Sequence, residues 1–418
     1  MAKTPPFSRD SIEKLAGEHP TPFYIYDEEG IRRQTRRLLE AFSWNKSFKQ
    51  HFAVKALPNP AILTIMREEG CGADCSSLPE LLLADRAGIS GEEIIFSSND
   101  TPAEEFIEAR KRGALVNLDD VKHLDYLEKH AGLPDIISFR YTPISLKSGN
   151  TIIGNPKESK FGLTREQLFD AYARAKEKGV KRFALHTMPV SNELRVEYHL
   201  EAVRELFATA LELQKEVGIT FEFINLGGGI GIPYRVEEKE FDVDAYAAGV
   251  RQAAEDAFGD AIPAFHMECG RYITGPFGYL VSSVRHVKTS YKNYVGLDAT
   301  MANLMRPGMY GAYHHITVLG KESAIADQTY DVVGSLCENN DKFAIDRTLP
   351  EVEAGDIVVI HDAGAHAHAM GFNYNGKLRS AEFLLRHAEA SGGGGLQPEF
   401  KMIRRAETAD DYFATLNF

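Results

Sequence analysis

A chain of 418 residues, 44% apolar and 26% charged, has room for one large domain and one smaller one and can bury a substantial core. Its 47 basic and 60 acidic residues give a formal charge of −13 with no long basic block, which repels phosphate backbones and argues against a nucleic-acid binder. No apolar run approaches the roughly 20 residues that cross a bilayer, so no membrane partner is expected.

The opening, MAKTPPFSRDSIEKL, lacks an apolar stretch of the secretory kind, and a cytoplasmic location is expected. TPFYIYD then reads as a short strand. Beyond it, FKQHFAVKA, GADCSS, EEIIFSS, ALVNLD, DIISFRYT, VKRFALHT, ITFEFINL and PAFHMEC are strand-like. Helical patterns such as SLPELLLADRAG, TPAEEFIEARKRG and LTREQLFDAYARAKEKG lie between them, the second with a cap expected at Thr101-Pro102. Strand and helix alternating about eight times predicts an α/β fold with a parallel sheet, a (β/α)8 barrel by count, with a doubly wound sheet as the alternative. After residue 275 the pattern changes. YLVSSVRHVKTSY, YDVVGSLC and DIVVIHDAGA read as strands without long helices between them, predicting an all-β domain joined by the opening strand. SGGGGLQPEF (391–400) reads as a flexible turn or loop.

Barrel enzymes place their chemistry at the C-terminal ends of strands. Lys55 ends QHFAVK, where desolvation would lower its pKa and favour a nucleophilic amine. Taken alone it reads more readily as a lysine snorkelling past a strand end. In INLGGGIGIPY three glycines follow a strand, a turn whose N–H groups can approach a phosphate, or simply a tight turn. HMECGRYITGP sets Glu268 and Arg271 around a glycine. A carboxylate there can hold a protonated ring nitrogen and a guanidinium can grip a phosphate; the alternative is a surface ion pair. His186 ends RFALH, where it can lie on a flat ring or be a hydrogen-bonded core histidine. Cys337 precedes Glu338, a neighbour that favours a neutral thiol suited to donating a proton. The remaining cysteines, Cys71, Cys75 and Cys269, make neither a disulfide scaffold nor a zinc site. The histidines at 361, 366 and 368 lack a partner set for a metal, and none is expected.

Weak singly, these features have an order. HFAVKALPNP, GADCSSLPEL, KFGL, INLGGGIGIPY, ECGR, MRPGMYGAYHH, VVGSLCENND and MGFNYNGKLRSAEFLL together closely resemble the fold-type III pyridoxal-phosphate (PLP) decarboxylases, and within them the diaminopimelate decarboxylase group. The resemblance implies an alanine-racemase-like barrel over residues 28–275, with residues 1–27 and 276–418 forming a β-barrel or β-sandwich domain. It implies a homodimer with active sites at the interface. Lys55 would carry PLP as a Schiff base, with Asp74 and Arg140 near it and His186 stacked on its ring. Gly227, Gly228, Gly229, Arg271 and Tyr374 would hold the phosphate, and Glu268 the ring nitrogen. Cys337 of the partner subunit would be the general acid. Arg306, Tyr310, Glu338 and Tyr374 would meet the substrate.

Two segments depart from the family pattern. HTMPVSNE stands where an HIGSQ-type segment is usual, so the glycine–serine phosphate contact is replaced. CENND replaces CESGD, which puts Asn339 and Asn340 at the substrate's distal end. The expected reaction is release of CO2 from a small dibasic amino acid, meso-diaminopimelate giving L-lysine. The alternative is D-ornithine or D-lysine giving putrescine or cadaverine. Readings of a different class are an amino-acid racemase, disfavoured by Cys337-Glu338, and a non-catalytic PLP-binding regulator, disfavoured by the retained Lys55 and Cys337.

Overall fold

The computed structural model describes residues 3–143, 160–389 and 396–417. The chain divides into two compact units, Arg32–Ile232 with Glu240–Tyr272, and Met1–Ile31 with Pro233–Lys239 and Ile273–Phe418. The short segment Pro233–Lys239, inside the span 28–275, thus groups with the second unit.

After β1 (Phe23–Asp27) come β2 (Lys49–Ala53), β3 (Gly72–Cys75), β4 (Ile94–Ser97), β5 (Leu115–Leu118), β6 (Ile136–Tyr141), β7 (Arg182–Thr187), β8 (Phe221–Asn225) and β9 (Ala264–Met267). Strands β2 to β9 form a closed barrel, in which β2 pairs in parallel with both β3 and β9. These are the eight strand-like runs of the sequence, and closure eliminates the doubly wound sheet. They are short and almost wholly buried, as expected for parallel strands covered by helices.

The helices between them start by different means. Arg165–Glu177 opens with a complete capping box, Thr164 with Gln167. Ala103–Lys111 does not use the expected threonine. Its cap is Pro102, which has no side-chain acceptor, and the Thr101 hydroxyl is buried without a hydrogen-bond partner among the described residues. The acids Glu104 and Glu105 in the first turn still favour the helix dipole.

The second unit adds β10 (Gly278–Thr289), β11 (Asn293–Leu297), β12 (Ile316–Val318), β13 (Gln328–Val333), β14 (Lys342–Leu349), β15 (Ile357–Ile360), β16 (Ala381–Glu389) and β17 (Leu396–Arg404). They form a mixed sheet in the order β14-β13-β11-β10-β1-β16-β17, with β15 pairing β10 and β12. The β1–β16 and β11–β13 pairs are parallel. Phe23, Ile25, Val281, Val359, Phe383 and Leu385 form part of its core, so the opening strand is structurally central to this unit. The unit is not all-β, because it also carries helices Arg9–Glu18 and Ala409–Phe413. The run expected to be a loop at 391–400 is a strand from Leu396 onward, paired with β16; the glycines before it lie outside the described residues.

Candidate active site

Side chains alternate along a strand, so residues two apart share a face. Ile95, Leu115, Ile136, Ala184 and Phe223 form an apolar cluster from β4 to β8. Two residues further along their strands stand Ser97, Asn117, Ser138, His186 and Asn225, all buried. The apolar layer is therefore followed by a polar one nearer the strands' C-terminal ends. Register aligns this polar layer: Asn117 lies opposite Ser138, Arg140 opposite His186, and His186 opposite Asn225.

A continuous hydrogen-bonded chain runs through it. The Ser138 hydroxyl donates to Asn117 Oδ1 at 2.8 Å, and Asn117 Nδ2 lies 3.2 Å from His186 Nδ1. His186 Nε2 lies 3.1 Å from Glu268 Oε2, and Asn225 Nδ2 donates to Glu268 Oε1 at 2.6 Å. Asn225 Oδ1 in turn accepts the Gly227 N–H at 2.9 Å. Burial raises the cost of charging Glu268, but His186, Lys55 and Arg140 together bring its pKa well below the ordinary carboxylate value.

Lys55 sits in a 3-10 turn (Val54–Ala56) immediately after β2, its Nζ 3.0 Å from Asp74 Oδ2 on β3. The lysine side chain is half-exposed at 51%, and Asp74 is buried at 1%. The expected depression of the lysine pKa is overturned. Burial pulls it down, yet the negative charges of Asp74 and Glu268 outweigh burial and raise it above 10.5. Asp74 is pushed up to about 6 by burial and by Glu268, with Lys55 opposing. Its second oxygen, Oδ1, is buried and has no hydrogen-bond partner among the described residues. Arg140 on β6 places Nε 3.0 Å from Asp119 Oδ1, an ion pair without hydrogen-bond alignment, and neither Asp119 oxygen has a hydrogen-bond donor among the described residues.

The triple glycine is demanded by close backbone approach. Gly227 and Gly229 have φ of +72° and +87°, and Cβ atoms there would lie 2.1 Å from Thr187 O and 2.3 Å from Val190 O. A Cβ on Gly228 would meet Glu268 O at 2.6 Å. The departing segment HTMPVSNE is what braces this loop. Glu193 N–H donates to Gly229 O, Gly231 N–H to Glu193 O, and Ile232 N–H to Asn192 Oδ1. The Gly228 N–H points at Met188 Sδ, 3.2 Å away. Arg271 follows Glu268 by three residues, is buried, and opens the short helix Arg271–Thr274.

The other candidates gather on loops of the second unit. Arg306 is buried, with Nη1 2.8 Å from the Tyr234 hydroxyl and 3.1 Å from His314 Nε2. It opens the one-turn helix Arg306–Tyr310, which ends in half-buried Tyr310. A Cβ on Gly308 in this helix would lie 2.3 Å from Asn340 O, so the helix packs on the CENND loop. Asp341 organises that loop by accepting the Met301 N–H at 2.6 Å and the Leu336 N–H at 2.7 Å. The Cys337 N–H donates to Asn375 Oδ1 at 2.7 Å, which ties exposed Cys337 and Glu338 to the turn carrying Tyr374, itself 51% exposed. Asn375 has φ of +55°, a conformation asparagine tolerates better than most side chains.

Two of the histidines at 361, 366 and 368 have separate partners: His361 bonds Thr317 Oγ1 and His368 bonds Ser380 O. Among the described residues no group of His, Cys, Asp and Glu is placed to hold a metal ion. Sequence reading missed Asn117, Ser138, Asp119 and Asn225. The signal was a single polar residue two positions after an apolar one near a strand end, as in LVN and FIN.

Residues 28–275 match the family model described as "Pyridoxal-dependent decarboxylase, pyridoxal binding domain". "Protein TabA" of Pseudomonas amygdali pv. tabaci is 45% identical over 405 residues, covering 96% of this chain and 92% of that one. The diaminopimelate decarboxylase of Methanothermobacter thermautotrophicus is 35% identical over 407 residues, with 96% and 92% covered. Among solved structures, Helicobacter pylori diaminopimelate decarboxylase complexed with L-lysine superposes with a TM-score of 0.87 at 31% identity, covering 96% of this chain and 98% of that one.

Proposed function

Because the chain belongs to the pyridoxal-dependent decarboxylases and is a PLP-dependent carboxy-lyase, we propose that its substrate is a dibasic amino acid and that it converts meso-diaminopimelate to L-lysine. The observation that carries this reading is a half-exposed Lys55 paired with buried Asp74, together with the buried His186–Glu268–Asn225 cluster, beside a glycine loop. The residues suit PLP. Asp74 Oδ1 is buried without a hydrogen-bond partner among the described residues, an acceptor beside the Lys55 amine that a cofactor's polar group can fill. Likeness to diaminopimelate decarboxylases over nearly the whole chain supports the substrate.

In this reading Lys55 would carry the cofactor, and Asp74, Arg140 and His186 would help to hold it. Glu268, held anionic, would support a protonated ring nitrogen. Gly227, Gly228 and Gly229, with Arg271 and Tyr374, would bind the phosphate. Bound PLP supplies an electron sink for the pair released when the Cα–carboxylate bond breaks. Cys337 of the partner subunit gives its Sγ proton to the substrate α-carbon once CO2 has left, and Arg306, Tyr310, Glu338 and Tyr374 read the substrate's distal end. A cytoplasmic homodimer completes the proposal; a sedimentation mass of one chain at working concentration counts against it. No described helix is long and apolar enough to cross a membrane.

D-ornithine or D-lysine is the second reading, favoured by one observation: Arg306, the cation that would meet a distal carboxylate, is engaged by Tyr234 and His314. The deciding experiment is CO2 release and product identity with added PLP on meso-diaminopimelate, D-lysine, D-ornithine, L-lysine, L-ornithine and L-arginine. Preference for meso-diaminopimelate with L-lysine as product is expected. Preference for D-lysine or D-ornithine overturns it in favour of a diamine-forming enzyme.

A further inference from the structure

His186 has one ring nitrogen toward Asn117 and the other toward Glu268. Which nitrogen carries the proton follows from what the neighbours offer. The Ser138 hydroxyl donates to Asn117 Oδ1, and the Asn117 NH2 faces His186 Nδ1. An NH2 group can donate but not accept, so Nδ1 must be a bare lone pair. The proton then sits on Nε2 and is donated to Glu268 Oε2. Asn225 Nδ2 donates to Oε1, so each carboxylate oxygen receives a donor. All five side chains are buried, where an unpaired polar atom is costly and a satisfied chain has a single arrangement.

We propose that Asn117, oriented by Ser138, is a positioning residue that fixes His186 as the neutral Nε2–H tautomer and thereby holds Glu268 as an oriented carboxylate. Asn117 acts through His186. The inference rests on the reading of His186 and Glu268 as the groups that meet the PLP ring, and it adds why they face it in one protonation state. Aspartate at 117 keeps the shape but replaces the donor with an acceptor. His186 then stands between two carboxylates, and both of its nitrogens are expected to take a proton.

The test is the 15N spectrum of imidazole-labelled, cofactor-free protein at neutral pH, with His186 assigned by its loss in His186→Gln. Wild type is expected to show a protonated Nε2 and an unprotonated Nδ1. Asn117→Asp is expected to show both nitrogens protonated, and Ser138→Ala a mixture of the two neutral tautomers. A wild-type His186 protonated on Nδ1, or on both nitrogens, overturns the proposal without recourse to any variant. So does an Asn117→Asp spectrum identical to wild type.

The loaded enzyme separates this from the site reading. Asn117→Asp should bind PLP but change its visible spectrum and lose roughly tenfold to hundredfold in turnover, as expected when support for a buried charged group is removed. If the tautomer changes as stated while spectrum and turnover do not, the positioning role stands and the placement of His186 and Glu268 against the cofactor falls.

Discussion

From Ser138 through Asn117, His186 and Glu268 to Asn225, each side chain in the barrel is buried and bonded to another side chain. Cys337, Glu338 and Tyr374 are exposed, and their loops are held by backbone amides on Asp341 and Asn375. The difference teaches where each region's precision comes from. In the barrel, low dielectric makes each hydrogen bond strong and each charge dependent on its neighbours, so one substitution propagates. On the loops, backbone bonds set the shape and leave the side chains free to meet a ligand, so substitutions there stay local.

The sharpest break of this comparison is Lys55→Ala. It should abolish the visible band of bound cofactor and reduce CO2 release to background in a protein that still folds. A variant keeping band and activity would remove Lys55 from its role. Cys337→Ala should leave the band unchanged and cut turnover by roughly 10²–10⁴, the usual worth of a positioned acid; full turnover would show that another group returns the proton. Asp74→Asn tests the barrel's electrostatics. Removing its negative charge leaves burial as the main influence on Lys55, so the lysine pKa falls and more neutral amine exists at a given pH. The pH profile for the rate of PLP loading should therefore move to lower pH, and a profile unchanged or moved upward contradicts the assignment. The smallest effect is expected from Asp341→Ala. Losing the Met301 and Leu336 amide bonds should cost about 1–3 kcal/mol in denaturant unfolding and lower turnover without altering the cofactor band.

The barrel was legible because its strands are short apolar runs between helices with clear period, and the opening strand's place in the second sheet was legible from TPFYIYD. The chain of Ser138, Asn117 and Asn225 was not, since one polar residue at a strand end has no periodicity to mark it. Its meaning lies in register between strands distant in sequence. The sign of the Lys55 shift was missed for the same reason: burial is suggested by neighbouring residues, whereas Asp74 and Glu268 arrive through the fold. The loop expected at 391–400 failed from Leu396 onward because the glycines preceding it said nothing of the pairing that β16 offers. Thr101 looked like a cap, but the helix begins a residue too late for its hydroxyl to serve.

The parallel pairing of β1 with β16 sets a timetable for synthesis. Phe23 leaves the ribosome long before its partner Ala381, with every barrel strand emerging in between. Until then FYIY, fully buried in the finished molecule, is an apolar strand with an open hydrogen-bonding edge, the kind that recruits foreign strands. A message truncated before codon 381 should therefore yield a chain prone to aggregate through its first strand, and one that holdase chaperones retain, even though its barrel sequence is complete.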